Sequence, residues 1–462
     1  MFISAALSYY YHGHDFQGLL LSGAITLGCG LGISMPAGFK KTAVIGKREG
    51  YLCVSLTWIS VAFFGALPFF LSREIPSFAD AFFESASGIT TTGASILTDI
   101  DSMSKGLLLW RSMMQWLGGI GIVVFSLALL PLLGGGAAQL FDAESTGLTH
   151  DKFRPRVTQM AKRLWFTYLG LTILAIVFLY LGPMDLFDAV CHGFSTISTG
   201  GFSTKQASIA HWHSVYTELV VIIFMIIGAI NFSLLYFLIR GEFKRFFKDE
   251  ELRWFLFIIV AASLTVGIYL TVHNDSNFLD SLRNSSFQVV SILTTSGFST
   301  DDFTLWGPFC LFIFIFLMFV CGCAGSTSGG LKTIRIVVLI KNTMCEFSRL
   351  VHPRAVIPVR LNNSALAFGT VQRLLAFTFL YICIIFASWG ILTFMGIPFD
   401  EALGASVSSI GNVGPGFGSM SSFGSYSGLP ALAKWCLSLL MIIGRLEIFT
   451  ILILFTPNFW KE

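Results

Sequence analysis

The chain has 462 residues, of which 54% are hydrophobic and 12% are charged, with a net charge of +3. Soluble proteins carry roughly 25% charged residues, so this chain has too few charges to cover a water-exposed surface of its size. Composition therefore argues strongly against a soluble enzyme and places most of the surface in a lipid bilayer. The small, scattered positive charge gives no indication of a nucleic-acid partner.

Apolar runs long enough to cross roughly 30 Å of hydrocarbon recur along the chain. They predict spanning helices near residues 18–38, 51–72, 106–134, 163–182, 215–239, 253–272, 307–322, 368–396 and 430–456. Alternate connections between them are rich in lysine and arginine, and the intervening connections are acidic. Because basic loops stay in the cytoplasm, this pattern predicts a multi-pass membrane protein with its acidic loops outside.

Four segments of the chain align on one glycine. They are FFESASGITTTGAS around Gly93, CHGFSTISTGGFS around Gly200, FQVVSILTTSGFS around Gly297 and SVSSIGNVGPGFG around Gly414. Each follows a spanning run and a half-length apolar stretch, and a stretch of about 10 residues makes a helix of roughly 15 Å that must turn back inside the membrane. The repeat predicts an all-α integral membrane protein with four pseudo-fourfold repeats of helix, re-entrant pore helix, filter loop and helix, plus an N-terminal spanning segment. The predicted boundaries are 1–50 for the N-terminal segment and its cytoplasmic loop, then 51–140, 141–245, 246–345 and 346–462 for the repeats.

Irregular backbone at mid-membrane depth survives where it lines a water-filled cavity, and rings of carbonyl oxygens replace the hydration shell of an alkali cation. Glycine at each loop permits positive φ or close approach of backbones to an axis. The alternative is that these are small-residue motifs for helix packing. Four copies in register favour an ion-binding filter, for which we predict the following ligand-bearing residues: Thr91, Thr92, Gly93, Ser198, Thr199, Gly200, Thr295, Ser296, Gly297, Asn412, Val413 and Gly414.

The sequence resembles the TrkH/KtrB (Trk/Ktr/HKT) superfamily of potassium transport subunits, and is most similar to its bacterial TrkH members. The resemblance rests on FFESASGITTTGA, QWLGGIGIVV, CAGSTSGGLKTIRI, LVHPRAV, NVGPGFG and GRLEIFTILILFTPNFW. It implies K⁺ as the transported ion, no organic cofactor, no enzyme activity, a homodimer in the bacterial inner membrane and a cytosolic TrkA-like nucleotide-binding regulator. Against that family's pattern the N-terminal segment looks truncated, and Gly411 stands where many relatives have Asn. A sodium-permeable or sodium/proton-coupled potassium symporter of the same superfamily, and a structural membrane scaffold, are the alternatives.

A glycine-rich segment interrupts the second helix of the third repeat. Its glycines lower helix propensity by roughly 1 kcal/mol each and predict a break below the filter. The segment nearly spells a phosphate-binding loop, but one residue is in excess and the preceding run is too membrane-like for a strand. In the family the matching segment is an intramembrane gating loop, and the resemblance assigns that role to Gly325, Ser326, Thr327, Ser328, Gly329 and Gly330.

Two basic residues accompany this segment. Arg445 lies about 16 Å along its helix from Lys434, where a cation needs water or a partner. An ion pair with Glu447 is disfavoured because positions i and i+2 do not share a helix face. We therefore predict that Arg445 faces the pore, as an electrostatic barrier or as a latch for the loop. Lys332 either belongs to the same gate or extends to the cytoplasmic interface, and the sequence leaves both open.

Overall fold

The computed structural model describes residues 1–37, 46–129, 153–274 and 277–460. Across these ranges the chain is helical apart from loops and one antiparallel hairpin, Arg360–Leu361 with Ser364–Ala365. Asn362 and Asn363 both have positive φ, as the two central residues of a tight hairpin turn require.

The helices follow one another in four repeats after two N-terminal helices, α1 (Phe2–Tyr10) and α2 (Phe16–Ala37). Repeat one contains α3 (Lys47–Leu71), α4 (Phe78–Ile89) and α5 (Lys105–Leu129). Repeat two contains α6 (Phe153–Tyr180), α7 (Leu186–Ile197), α8 (Val215–Ala229), α9 (Phe232–Ile239) and α10 (Phe243–Lys248). Repeat three contains α11 (Glu250–Asn274), α12 (Phe278–Leu293), α13 (Pro308–Val320) and α14 (Thr333–Val351). Repeat four contains α15 (Phe368–Phe394), α16 (Phe399–Gly411), α17 (Ala431–Arg445), α18 (Phe449–Leu452) and α19 (Pro457–Trp460).

The second helix of each repeat is too short to cross a bilayer. These four half-helices, α4, α7, α12 and α16, have 12, 12, 16 and 13 residues. At 1.5 Å per residue they are about 18–24 Å long. In the described ranges five helices are long and apolar enough to span, or seven spans if each of two bent helix pairs counts as one. The architecture confirms the predicted all-α membrane fold with four repeats.

The helix that follows the filter loop of each repeat, which we call its closing helix, is broken in three repeats, whereas the sequence predicted a break only in the third. The apolar runs predicted at 215–239 and 430–456 are each divided by a sharp bend: the bend is 108° between α8 and α9, and 106° between α17 and the helix that follows it. At the first bend the Asn231 side chain accepts a hydrogen bond from the Ser233 N–H at 2.8 Å, and the Phe232 N–H donates to the Gly325 carbonyl at 3.1 Å. Side-chain capping and a partner in another repeat satisfy the broken backbone, as a membrane interior demands.

Glycines in the closing helices allow the C-terminal ends of three half-helices to pack closely against them. A Cβ at Gly118 would collide with the Ile89 carbonyl, and one at Gly444 would collide with the Ile410 carbonyl. A Cβ at Gly228 would lie 3.0 Å from the Ile197 oxygen. Small residues at such crossings allow helices to pack closely in membranes. The C-terminal ends of these three half-helices therefore lie against the closing helices, and their negative dipole ends favour cations there.

Candidate functional site

Each half-helix continues into a loop in which two residues, separated by one residue, have positive φ. We number these loops 1 to 4. The pairs are Thr91 and Gly93, Thr199 and Gly201, Thr295 and Gly297, and Asn412 and Gly414. The first residues have φ of 54°, 53°, 58° and 54°, and the glycines have φ of 84°, 79°, 75° and 108°. A threonine in this region is strained, and strained backbone that the surrounding structure holds in place is typical of functional sites.

The common geometry corrects the alignment of loop 2. The sequence aligned Gly200 with Gly93, but Gly201 is the glycine with positive φ. The hydrogen bonds agree, since the Gly200 N–H bonds the Ser195 carbonyl at 2.8 Å as the Thr92 N–H bonds the Ser87 carbonyl at 2.9 Å. The predicted set Ser198, Thr199 and Gly200 is therefore shifted by one residue, and Thr199, Gly200 and Gly201 occupy the equivalent positions. Loop 2 contains two adjacent glycines, and single-residue matching selected the wrong one.

The four loops close a ring. A Cβ at each positive-φ glycine would strike the carbonyl oxygen of one residue in the next loop. The contacts run from Gly93 to Gly200, from Gly201 to Ser296, from Gly297 to Val413 at 2.5 Å, and from Gly414 to Thr92 at 2.6 Å. In every case the carbonyl oxygen belongs to the residue just before the positive-φ glycine of the neighbouring loop. The positions that the sequence singled out in loops 1, 3 and 4, with the corrected loop 2, therefore lie together.

Many carbonyl oxygens in this ring have no hydrogen-bond donor among the described residues. They belong to the following residues: Thr91, Thr92, Gly93, Thr199, Gly201, Thr295, Ser296, Gly297, Asn412 and Val413. Buried carbonyl groups without partners are costly, and more than nine in ten such groups in proteins are paired. The Thr91, Thr295 and Asn412 residues are fully buried. The ring thus presents oxygen ligands suited to an alkali cation.

A cavity of about 60 Å³ lies against the ring. All four positive-φ glycines, Gly93, Gly201, Gly297 and Gly414, line it together with residues of the segments that follow loops 1, 2 and 4. Gly200 does not line it, in keeping with the corrected alignment. We call this cavity the vestibule.

Polar side chains at one position of three half-helices hold the segments that leave the ring. The position is seven residues before each positive-φ threonine and is occupied by Glu84, His192 and Gln288. Glu84 accepts a hydrogen bond from the Ile96 N–H at 3.0 Å, His192 bonds the Ser203 hydroxyl at 2.9 Å, and Gln288 donates to the Asp301 carbonyl at 2.7 Å. The sequence did not single out Glu84 or Gln288, and it indicated a packing or capping role for His192 rather than a ligand role. Alignment of the half-helices on the positive-φ residue would have revealed them.

In repeat one the side chain at this position, Glu84, forms a buried ion pair with Arg111, which we call the clamp. Arg111 of α5 and Glu84 of α4 are 2.8 Å apart, with side chains 1% and 0% exposed. The Arg111 guanidinium also donates to the Ser203 carbonyl at 3.2 Å and lies 4.1 Å from the centre of the Phe202 ring. One pair therefore joins loop 1 to loop 2. A buried ion pair of this kind fixes geometry, and the loss of one partner is costly.

Loops 2 and 4 are also held at their carbonyl groups. The Gln115 amide donates to the Gly200 carbonyl at 2.6 Å and accepts from the Phe202 N–H at 3.1 Å. The Tyr426 hydroxyl donates to the Gly414 carbonyl at 2.9 Å. Both supports come from outside the loops. The ring is therefore fixed by different groups in each repeat, although its backbone is nearly fourfold.

The glycine-rich interruption of repeat three, which we call the 321–332 loop, packs against the ring on the side of the half-helix ends. Thr327 is fully buried, and its hydroxyl lies 3.1 Å from the Ile197 carbonyl and 3.0 Å from the Gly228 carbonyl. The Gly329 N–H donates to the Thr295 hydroxyl at 3.0 Å. The loop thus contacts repeats two and three immediately below the ring.

Arg445 reaches this loop from repeat four. Its guanidinium donates to the Thr327 carbonyl at 2.7 Å and to the Gly118 carbonyl at 3.1 Å, and the residue is 2% exposed. Glu447 does not pair with Arg445 and bonds Arg335 at 2.7 Å instead. Lys332, also buried, donates through Nζ to the Ser328 carbonyl at 2.5 Å. Of the two placements that the sequence left open for Lys332, the structure has the one at the loop.

A carboxylate that the sequence analysis did not select brackets the 321–332 loop. Glu251, at the start of α11, accepts hydrogen bonds from the Ala324 N–H at 2.6 Å and the Ile334 N–H at 3.1 Å. The two donors stand on either side of the glycines. One side chain therefore ties both ends of the loop to a spanning helix.

Four repeats whose re-entrant loops close one ring define a multi-pass membrane protein of the single-chain, four-repeat pore class. Comparison with known proteins agrees. The model of the TrkH family, described as cation transport protein, matches residues 34–462. The chain belongs to the TrkH family, as its resemblance implied, and is a transport protein rather than an enzyme.

Individual relatives are similar over nearly the whole chain. The Trk system potassium uptake protein TrkH of Escherichia coli (strain K12) is 40% identical over 428 residues, which are 92% of this chain and 88% of the relative. Its counterpart of the same name in Halomonas elongata is 38% identical over 453 residues, 97% of this chain and 93% of the relative. The crystal structure of the potassium transporter TrkH from Vibrio parahaemolyticus matches with a TM-score of 0.89 at 36% identity, covering 100% of this chain and 96% of that one.

Proposed function

We propose that this protein takes up potassium through the axis of the four-loop ring. The observation that carries the proposal is the ring itself, in which each glycine abuts the carbonyl group of the next loop and most ring carbonyl oxygens have no donor in the described protein. Such oxygens replace the water around a desolvated alkali cation. Thr91, Thr92, Gly93, Thr199, Gly200, Gly201, Thr295, Ser296, Gly297, Asn412, Val413 and Gly414 contribute the backbone of this selectivity filter.

Potassium is the preferred ion on two grounds. The relatives named above are potassium uptake proteins. Glycine also stands at the second positive-φ position of all four loops, which keeps side chains out of the ring. Sodium permeation, or coupling to sodium or protons, is an outcome that the flux experiment below distinguishes.

The 321–332 loop acts as the gate. It fills the space directly below the ring and is joined to three repeats by hydrogen bonds of Thr327, Gly329 and Arg445. The Arg445 guanidinium latches the Thr327 carbonyl while its fixed charge opposes cation entry. Lys332, bonded to Ser328, adds a second positive charge at the same level.

The cellular setting follows from the resemblance. The protein lies in the bacterial inner membrane as a homodimer of single-chain pores divided at residues 51–140, 141–245, 246–345 and 346–462. A cytosolic TrkA-like nucleotide-binding subunit controls the gate. Its route to the loop is through α14, which begins at Thr333 directly after the loop and is tied to repeat four by Arg335 and Glu447.

Rubidium uptake by a bacterium that lacks its own potassium transport systems tests the proposal. Cells that express the chain gain saturable rubidium uptake that excess potassium abolishes and equal sodium does not. Gly297→Ser places a side chain where a Cβ would lie 2.5 Å from the Val413 carbonyl oxygen, and we expect this variant to lose the preference for potassium over sodium. Equal competition by sodium and potassium would refute the potassium assignment, and absence of uptake would refute the transport function.

A further inference from the structure

Among the residues that the structure describes, the lining of the vestibule includes two basic side chains and no carboxylate. Its charged lining residues are Arg111 and Lys205. Arg111 is neutralised by its buried pair with Glu84. Lys205 is therefore the other charged side chain of the described lining, while the Asp302 carboxylate lies behind the wall and accepts a hydrogen bond from the Ser421 hydroxyl at 3.0 Å.

The position of Lys205 is fixed by a joint between repeats one and two. The Gln206 N–H donates to Asp101 Oδ2 at 3.3 Å, and Gln206 Oε1 accepts from the Ile100 N–H at 3.2 Å. Lys205 Nζ lies 3.7 Å from Asp101 Oδ1, with the two side chains 30% and 49% exposed. A half-exposed pair at this distance is weak. Asp101 therefore offsets the ammonium charge partly while holding its backbone in place.

We propose that Lys205 determines the apparent affinity of the outer entrance for monovalent cations and excludes divalent cations from the vestibule. The inference rests on the proposed function of the ring. Lys205 acts through its charge, because the cavity joins it to the four glycines with low-dielectric protein around them. Asp101 moderates this effect from outside the wall.

The charge of the permeating ion gives the proposal a quantitative signature. A fixed potential changes the local concentration of an ion exponentially with the ion's charge. If removal of the lysine charge lowers the KM for Rb⁺ by a factor of about three, the inhibition constant for Mg²⁺ falls by the square of that factor, about nine. A purely steric effect of the side chain does not produce this square relation.

The test compares rubidium uptake by the whole chain with that of Lys205→Gln, Lys205→Arg and Asp101→Asn, per amount of folded protein. We expect Lys205→Gln to lower the KM about threefold with kcat unchanged, Lys205→Arg to match the wild type, and Asp101→Asn to raise the KM. Higher ionic strength diminishes all of these differences because it screens the charge.

Chemical restoration of the charge distinguishes the effect of the charge from the effect of the side chain's shape. Lys205→Cys is treated with a positively charged thiol reagent and, in parallel, with a negatively charged one of similar size. We expect the positive adduct to restore the wild-type KM and the negative adduct to lower it below that of Lys205→Gln. Equal KM values and equal Mg²⁺ sensitivity in wild type and Lys205→Gln would overturn the inference. Absence of uptake by the wild type would instead overturn the proposed function.

Discussion

Arg445→Ala is expected to raise basal flux in the absence of a regulator. The Arg445 guanidinium has two carbonyl partners, but the two have different roles. The bond to Gly118 holds the arginine to α5, and the bond of 2.7 Å to Thr327 joins it to the 321–332 loop. When the loop leaves the pore, the bond between Arg445 and the Thr327 carbonyl breaks. The bond between Arg445 and Gly118 does not involve the loop and so does not contribute to the cost of opening. The cost of opening that the substitution removes is therefore one charge-assisted hydrogen bond.

Such a bond contributes about 1.5–3 kcal/mol. At 1.4 kcal/mol per factor of ten, its loss shifts the equilibrium toward the open loop by roughly 10- to 150-fold. Removal of the positive charge from the ion path acts in the same direction. Arg445→Lys keeps the charge but loses the forked geometry, so we expect an intermediate flux.

The assay is rubidium flux into proteoliposomes, normalised to folded protein measured by size-exclusion chromatography. Arg335→Ala is a useful comparison, since this arginine pairs with Glu447 and not with the loop. A structural role for Arg445 predicts less folded protein and unchanged flux per molecule. Flux per folded Arg445→Ala molecule at or below the wild-type value would refute the latch.

Three further substitutions test the parts of the site separately. Gly201→Ser forces a side chain into the Ser296 carbonyl group at a φ of 79°, and we expect it to lower rubidium-over-sodium selectivity at least about tenfold. Gly241→Ser is the control, because Gly241 has a φ of 81° and nothing within 4 Å of a Cβ. It carries the same backbone strain of about 1–2 kcal/mol and leaves the flux ratio unchanged. Glu84→Gln leaves Arg111 without a counterion and lowers the free energy of unfolding by about 3–5 kcal/mol, seen as a large fall in the thermal midpoint in detergent; a midpoint within a degree of wild type would contradict the clamp. Glu251→Ala frees both ends of the 321–332 loop and raises basal rubidium flux, and unchanged flux would show that the anchor does not control the loop.

The sequence predicted what depends on length, composition and repetition. Half-length apolar stretches and recurring glycines predicted the four re-entrant loops, and the glycines between 325 and 330 predicted the break in repeat three. The bends after Ala229 and Arg445 were missed because their helices remain apolar and the breaks are satisfied by tertiary partners such as the Gly325 carbonyl. Hydropathy does not report such partners.

The details of the ring depend on pairings between distant segments. Gly200 and Gly201 are equivalent candidates in the sequence, and only backbone geometry assigns positive φ to Gly201. The Glu84–Arg111 pair links residues 27 positions apart on different helices. Trp110, near the start of α5, is 8% exposed and donates to the Gly65 carbonyl at 3.1 Å. An aromatic residue at the end of a span suits either environment, and packing decides between them.

The central claim is that the ring of four loops selects potassium. The most direct measurement is the ion selectivity of the purified chain in proteoliposomes, taken as the ratio of rubidium to sodium flux under equal gradients in wild type and Gly201→Ser. The account predicts a wild-type ratio well above one that falls toward one in the variant, while the flux of sodium rises. Equal rubidium and sodium flux in the wild type, or a ratio unchanged by Gly201→Ser, would contradict it.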